Sequence, residues 1–280
     1  MKRTFALLFT VLCLALCSFG AGATESAWTN LAERIHFSMY ADLESAYWMR
    51  GVIADTRPYS SQFADMTLDL SPVGRVGAFV WSASSTSTGG QSASRRNFYN
   101  EFIYTAFYGY EVELSGRWSL DTVFYKQWVD APGYFPHAHS RSEINLSQSL
   151  NNPYLTPYYL MRRAIHGAEW CYWEVGVTRS WKLNERLKLT ATIFGELGDD
   201  QHFLAQYGPE PNGDIYRHGL MALNAKLRFD YALNKNAGLF AYVHQFNMVD
   251  SDARDAVEHS SAPQGRTEQT IFGAGVTFKF

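Results

Sequence analysis

The stretch LNAKLRFDY, Leu223 to Tyr231, sorts its side chains by strict alternation. Leu223, Ala225, Leu227, Phe229 and Tyr231 fall on one face; Asn224, Lys226, Arg228 and Asp230 fall on the other. A helix, with its period of 3.6, would scatter both sets around its circumference, whereas an extended strand separates them. The polar row must then meet water or partners of its own. The same sorting recurs. In MYADLESAY, Met39, Ala41 and Leu43 oppose Tyr40, Asp42 and Glu44. In FADMTLDL, Ala64, Met66, Leu68 and Leu70 oppose Phe63, Asp65, Thr67 and Asp69. In LKLTATIFGEL, Leu187, Leu189, Ala191 and Ile193 oppose Lys188, Thr190, Thr192 and Phe194.

Twelve such segments are legible: 34–50, 59–71, 75–84, 98–114, 117–129, 141–150, 154–163, 169–181, 186–197, 218–233, 237–250 and 267–280. The third, seventh and eleventh alternate poorly, which leaves ten or fourteen strands as alternatives. Short connections rich in turn residues (SPVG, SGR, NNP, KLNE, LNKN) alternate with long polar ones (STSTGGQSASRR, DAPGYFPHAHS, GDDQHFLAQYGPEPNGDIY, SDARDAVEHSSAPQG). Only AIHGA, after the seventh segment, is shorter than its place predicts. This asymmetry predicts an all-β fold, a transmembrane antiparallel up-and-down β-barrel with tight periplasmic turns and long outer loops.

Composition agrees. The 280 residues include 19 Phe, 17 Tyr and 8 Trp, yet mean hydropathy is only −0.23. Strands need an apolar residue only at every second position, and no mature segment is long and apolar enough for a membrane helix. The net charge of −3 gives no footprint for nucleic acid. At the N-terminus, Lys2 and Arg3 precede an apolar run and Ala21-Gly22-Ala23, the pattern of an export signal cleaved after residue 23. A small residue just before Cys17, which lipidation requires, is replaced by Leu16. Residues 24–33 then form a short periplasmic segment and 34–280 the barrel. Cys13 and Cys17 leave with the signal, so Cys171 has no intramolecular disulfide partner.

Aromatic residues sort by height. Phe37, Trp118, Trp181, Tyr231 and Phe278 fall near the short-turn ends; Tyr47, Trp81, Trp128 and Phe246 fall near the long-loop ends. Two such belts suit the two membrane interfaces. A soluble sandwich or lipocalin-like barrel shares the periodicity but turns its apolar face inward; the belts, the loop asymmetry and the missing disulfides favour the membrane.

The inward faces hold the candidate functional residues. Strands one to six place Asp42, Glu44, Asp65, Asp69, Glu101, Glu111, Asp121 and Glu143 inside, with Arg50 as the basic exception. Strands seven to twelve place Lys188, Lys226, Arg228 and Lys279 inside with Glu174, Glu196 and Asp230. An acidic wall facing a mixed-to-basic wall sets a transverse field and an ion selectivity. The bland alternative is that these groups pair across a narrow lumen and hold it shut. His137-x-His139 lacks further ligands at a useful spacing, so no metal and no cofactor are expected. There is no G-x-S-x-G elbow and no H-E-x-x-H. His244, near the middle of strand eleven, could meet a neighbouring serine, and such a dyad would face lipid. Gly273-x-Gly275 lacks a third glycine and a following helix, so it is read as strand and not as a phosphate loop.

Several stretches carry a family resemblance: SAYWMRGVIADTRPYSSQ, with Tyr47, Arg50, Gly51 and Pro58; GRVGAFVWSAS; EFIYTAFYGYEVELSGRWSLDTVFYKQW; and the closing GAGVTFKF. Through these the chain resembles the TorF-type porin family of Gram-negative outer membranes. The resemblance implies a pore-forming or small-solute channel role and gives no catalytic residues to carry over. The expectation is passive diffusion of small polar solutes or ions through a narrow charged lumen. Two competing readings are a non-conducting adhesive or structural barrel acting through its long loops, and an outer-membrane acyl hydrolase. Expected partners are outer-membrane lipid, the barrel-assembly machinery, which reads a C-terminal aromatic strand such as the one ending in Phe280, and the solutes. A single closed barrel has no open edge, so a monomer suffices.

A barrel of this kind keeps its fold in mild detergent. Unheated full-length protein is therefore expected to migrate apart from boiled protein on a gel, and identical migration would remove the membrane-barrel reading.

Overall fold

Each alternating segment offers two hydrogen-bonding edges, and the arrangement that pairs all of them is a ring. The computed structural model describes residues 32–55, 58–85, 100–130, 140–166, 169–207, 218–259 and 266–280. The strands are β1 (Ile35–Glu44), β2 (Tyr47–Met49), β3 (Val52–Asp55), β4 (Tyr59–Asp69), β5 (Arg75–Ser85), β6 (Asn100–Ser115), β7 (Trp118–Asp130), β8 (Arg141–Asn151), β9 (Thr156–His166), β10 (Cys171–Lys182), β11 (Leu187–Gly198), β12 (Gly219–Ala232), β13 (Ala237–Met248) and β14 (Glu268–Lys279). Twelve of them, β1 and β4 to β14, form one closed antiparallel barrel, while β2 and β3 form a separate hairpin. The export signal and most of residues 24–33 lie outside the described residues.

The ring closes where the sequence pattern places the seam. β14 pairs with both β13 and β1, in a register that sets Met39 opposite Phe278 and Asp42 opposite Gly275. Phe280 N–H donates to the Phe37 carbonyl at 2.8 Å, and Phe37 N–H returns a bond to the Phe280 carbonyl at 3.1 Å. At the same rim, three tight turns share one device. The Asn152, Asn184 and Asn234 side chains each accept two backbone N–H bonds from residues two and three further on, at 2.8–3.1 Å. A short amide side chain thus takes over the backbone's role at the corner.

The barrel is inverted relative to a soluble one. Outward faces expose large apolar side chains: Leu43, Ile193 and Phe272 are each 61% accessible. The inward face buries Glu143, Glu196 and Thr105 completely. A continuous apolar exterior around a polar interior is stable only when lipid covers the outside.

Three expectations need correction. Strand one does not run to residue 50: β1 ends at Glu44, and the chain turns inward as the hairpin β2–β3. Arg50 (φ 48°) and Gly51 (φ 85°) form its two-residue turn, the left-handed pair that a tight hairpin demands. Two of the long connections are not plain loops, because they carry helices α1 (Asp200–Tyr207) and α2 (Ser251–His259). The outer aromatic belt also loses members. Phe37, Trp118, Trp181 and Tyr231 are exposed on outward faces, and Trp128 and Phe278 share that parity. Tyr47, Trp81 and Phe246 instead point inward and join an apolar core with Met49, Ile53, Trp170, Phe203 and Met221. These three share the inward parity or the hairpin. Height along a strand was legible in their positions, and alternation with Phe79 and His244 already sets Trp81 and Phe246 inward; only the place of Tyr47 on the hairpin was not.

Inward glycines make room for rings on the neighbouring strand. Gly77 stands directly opposite Phe107, and a Cβ added there would lie 2.4 Å from that ring and 2.4 Å from the Met66 carbonyl oxygen. Gly77→Ala is therefore expected to lower stability by about 1–3 kcal/mol, read as a lower urea midpoint. Gly219→Ala, where nothing lies within 4 Å, serves as the control and is expected to leave the midpoint unchanged.

Candidate functional site

The lumen is built in layers, and the outer one is a plug. The β2–β3 hairpin leaves the outer end of β1 and crosses the bore. At its tip Arg50 donates two bonds to Glu143 on β8, five strands round the ring from β1, at 2.7 and 3.0 Å. The Arg141 Nε–H donates to the same carboxylate at 2.5 Å. Tyr47, at the hairpin base, donates to Glu101 at 2.6 Å. Both guanidinium groups lie over the Trp170 ring, at 5.2 and 5.5 Å. All four charged groups are buried, so the network survives only because each charge has an opposite charge and hydrogen bonds beside it.

Helix α1 seals the hairpin from above. Tyr207 O–H donates to the Gly51 carbonyl at 2.9 Å, and His202 Nε2 stands 3.5 Å from the Arg50 carbonyl. His202 packs on Trp170 and Tyr172, with ring centroids 4.8 and 5.2 Å away. Burial, reinforced by the positive charges of Arg50 and Arg141, pushes its pKa down to about 3. On the other side Trp48 meets His244 edge-on at 5.0 Å.

The register places all the anticipated charges on the inward face: Asp42 and Glu44 on β1, Asp65 and Asp69 on β4, Glu101 and Glu111 on β6, Asp121 on β7 and Glu143 on β8. Across the bore stand Glu174 on β10, Lys188 and Glu196 on β11, and Lys226, Arg228 and Asp230 on β12. Lys279 shares the inward parity on β14. Arg50 lines the lumen from the hairpin and not from strand one. The expected contrast between walls is weaker than drawn, because Arg75 and Arg141 also point inward from the acidic side and Arg50 is not its lone basic group, while Arg162 adds to the other wall. Arg75 bonds Asp121 at 2.8 and 2.9 Å, and Arg162 donates to Gln127 at 2.9 Å. Arg75 and Arg141 begin their strands with the same parity as Phe79 and Glu143, so alternation could have found them.

Other inward carboxylates are held by hydroxyls and amides. Ser61 bonds Asp42 and Ser38 bonds Asp65. Tyr158 donates to Glu174 at 2.6 Å, and Tyr172 and Asn224 donate to Glu196 at 2.6 and 2.7 Å. Lys226 lies 3.7 Å from the centre of the Tyr242 ring, and Arg228 4.0 Å from that of Phe240. Arg228 and Lys188 share Asp230, at 2.8 and 4.0 Å.

Toward the short-turn rim the lumen opens. A cavity of about 540 Å³ includes Lys182, Lys188, Asp230 and Lys279 in its lining, and a second, of about 330 Å³, lies by Asp69, Arg75 and Glu111. Both linings carry charges of both signs. Among the described residues, no group of three or more His, Cys, Asp or Glu could hold a metal ion; His137 and His139 lie outside the described residues. His244 does not face lipid. It is 4% exposed inside the lumen, donates to Asn224 at 2.8 Å, and has Lys226 and Ile271 as its cross-strand neighbours.

No family model and no curated protein matches the chain. Among solved structures it is similar to an outer membrane channel from Pseudomonas putida F1, at 10% identity and a TM-score of 0.54, over 88% of this chain and 95% of that one. It is also similar to the KdgM porin, at 7% identity and a TM-score of 0.47, over 88% and 99% of the two chains. A third similarity is to outer membrane phospholipase A from Escherichia coli, at 15% identity and a TM-score of 0.45, over 89% and 96%. At these identities the likeness shows the fold, a closed outer-membrane β-barrel.

Glu143→Ala removes both acceptor atoms of the buried Arg50 guanidinium. A loss of about 3–5 kcal/mol in hairpin docking is expected, seen as proteolytic cleavage near residue 50 while the barrel keeps its heat-modifiable migration. The His202 shift gives a pH dependence. The folded imidazole stays neutral to about pH 3, whereas the unfolded one takes up a proton near 6.5. Stability from this group is complete above 6.5 and declines as pH falls toward 3. Trp170 fluorescence is expected to report loosening of α1 over that window, and His202→Phe to flatten the response.

Proposed function

We propose that the chain is a bacterial outer-membrane channel for small polar solutes or ions, closed at its outer mouth by the β2–β3 hairpin. The observation that carries this reading is the layered lumen. A polar, charge-lined bore opens at the short-turn rim and is stopped, at the outer end, by a separate element that is no part of the barrel ring and whose tip is held by the buried Arg50–Glu143 pair. The resemblance to TorF-type porins agrees with this role. Export by the N-terminal signal, insertion guided by the aromatic strand ending in Phe280, and the absence of catalytic chemistry belong to the same reading. The last is supported by a His244 whose bonded partner is an amide inside the lumen.

A second reading has its own support. The hairpin carries apolar side chains, Tyr47, Met49 and Ile53, into a core shared with Phe203, Met221 and Phe246. A plug so packed also suits a non-conducting barrel that works through its outer loops.

Planar-bilayer recording of the refolded full chain separates the two. Brief or rare conductance steps are expected for the native protein and frequent ones for Arg50→Ala. Silence from both would sink the channel. In the conducting variant, Lys226→Glu with Arg228→Glu is expected to move selectivity toward cations, and an unchanged reversal potential would show that this pair does not line the constriction.

A further inference from the structure

The equator of the lumen carries a feature that neither the plug nor the charges require. Tyr40, Phe63, Phe79, Phe107 and Tyr125 lie near the midpoints of five successive barrel strands, all on the inward face. Their rings touch in sequence. Tyr40 and Phe63 are stacked with centroids 5.0 Å apart and planes 13° apart, and Phe63 follows to Phe79 at 5.3 Å. Phe79 reaches Tyr125 at 6.4 Å, and Tyr125 reaches Phe107 at 6.1 Å. At the other end Tyr40 meets the edge of Phe240, on β13, at 6.1 Å. The strand between them, β14, contributes Gly275, where a Cβ would fall 2.6 Å from the Phe240 ring. Phe107 covers Gly77 in the same way. The rings are thus laid over glycine backbone, against the barrel wall, and the aromatic surface runs on across more than half of the circumference.

The five rings from Tyr40 to Tyr125 are half-buried and not sealed in the outer core. In a water-filled bore, apolar ring surface left accessible is unfavourable at about 25 cal/mol per Å², and polar side chains would line the wall without that cost. The feature is accounted for if a solute covers the rings.

The polar groups around the belt narrow the kind of solute. Asp42 is bonded by Ser61, Arg228 by Asp230, and Arg162 to the amide of Gln127. Asp42 also interacts with Lys226 and Arg228, and Lys226 with Glu44, so charges of both signs stand together at the belt and the site offers hydrogen-bond donors and acceptors with little net charge of one sign. An aromatic platform edged by paired donors and acceptors fits a ligand with an apolar face of C–H groups and a rim of hydroxyls. We propose that the equatorial half-belt is a binding site for neutral saccharides, entered from the short-turn rim; the proposal rests on the channel reading for its transport role but not for binding.

Saturation-transfer difference NMR on the refolded full chain in detergent tests it, with cellobiose and maltotriose as probes and benzoate as the planar anionic comparison. Saturation of sugar ring C–H protons is expected, with weaker transfer to benzoate. Tyr40→Ala with Phe63→Ala is expected to weaken sugar binding about tenfold, the loss of two ring contacts of about 0.5–1.5 kcal/mol each. Phe79→Leu keeps apolar volume but removes a ring face, so it tests stacking if the double variant folds poorly; its binding is expected to fall as well. Transfer to benzoate that matches or exceeds the sugars, or sugar binding unmoved by Phe79→Leu, overturns the proposal. Conductance by Arg50→Ala without sugar binding leaves the channel standing and this site refuted, whereas binding without conductance does the reverse.

Discussion

Everything in this molecule depends on the closing of β14 against β1. Within hydrocarbon a strand edge has no water to satisfy its N–H and C=O groups, each of which then costs several kcal/mol. The Phe37–Phe280 pair of backbone bonds and the register from Ser38–Lys279 to Glu44–Gly273 complete the ring. Once closed, the ring fixes which parity of every strand meets lipid and which meets the lumen. A slip of one residue at the seam would exchange the two faces, setting Asp42 in lipid and Leu43 in the bore.

Inside the ring, the polar and apolar demands are reversed in space and then partly reversed again. The lumen accepts carboxylates and guanidinium groups because water or opposite charges reach them. Where the hairpin and α1 exclude water at the outer end, the same wall must supply apolar side chains, Phe246 and Met248 on β13 and Ile271 on β14, together with opposite charges for Arg50 and Arg141. The Arg50–Glu143–Arg141 cluster is what burial demands of a charged lumen once it is plugged. Further down, where the bore widens, Lys188 and Asp69 remain accessible.

Much of this was legible in order of residues. The strand number, the alternation of short and long connections, the seam and the inward parity of the charges from Asp42 to Asp230 follow from a period of two, because a strand has two faces and only one can be wet with this composition. The inward arginines Arg75 and Arg141 were equally available to that rule. The hairpin was harder to read. Its side chains continue the apolar and aromatic pattern of β1 past Glu44, and Arg50-Gly51 is the one local sign of a turn. Tyr47 was misplaced for the same reason, whereas Trp81 and Phe246 share the inward parity of Phe79 and His244, which alternation could have found. An aromatic residue at outer height serves an interface belt or a plug equally well, and local sequence carries no record of what stands opposite it across the bore.

The sequence by itself determined the strands, their turns, the up-and-down order and the two parities, because these rest on contacts between neighbours along the chain or across one hairpin. The tertiary structure alone decided that the first outer connection folds into the bore. It alone joined Arg50 to Glu143 and made one surface of rings from Phe240 to Phe107. Those outcomes depend on residues far apart in sequence being brought together by closure of the ring, and periodicity, which is a local property, does not encode what lies on the far side of a barrel.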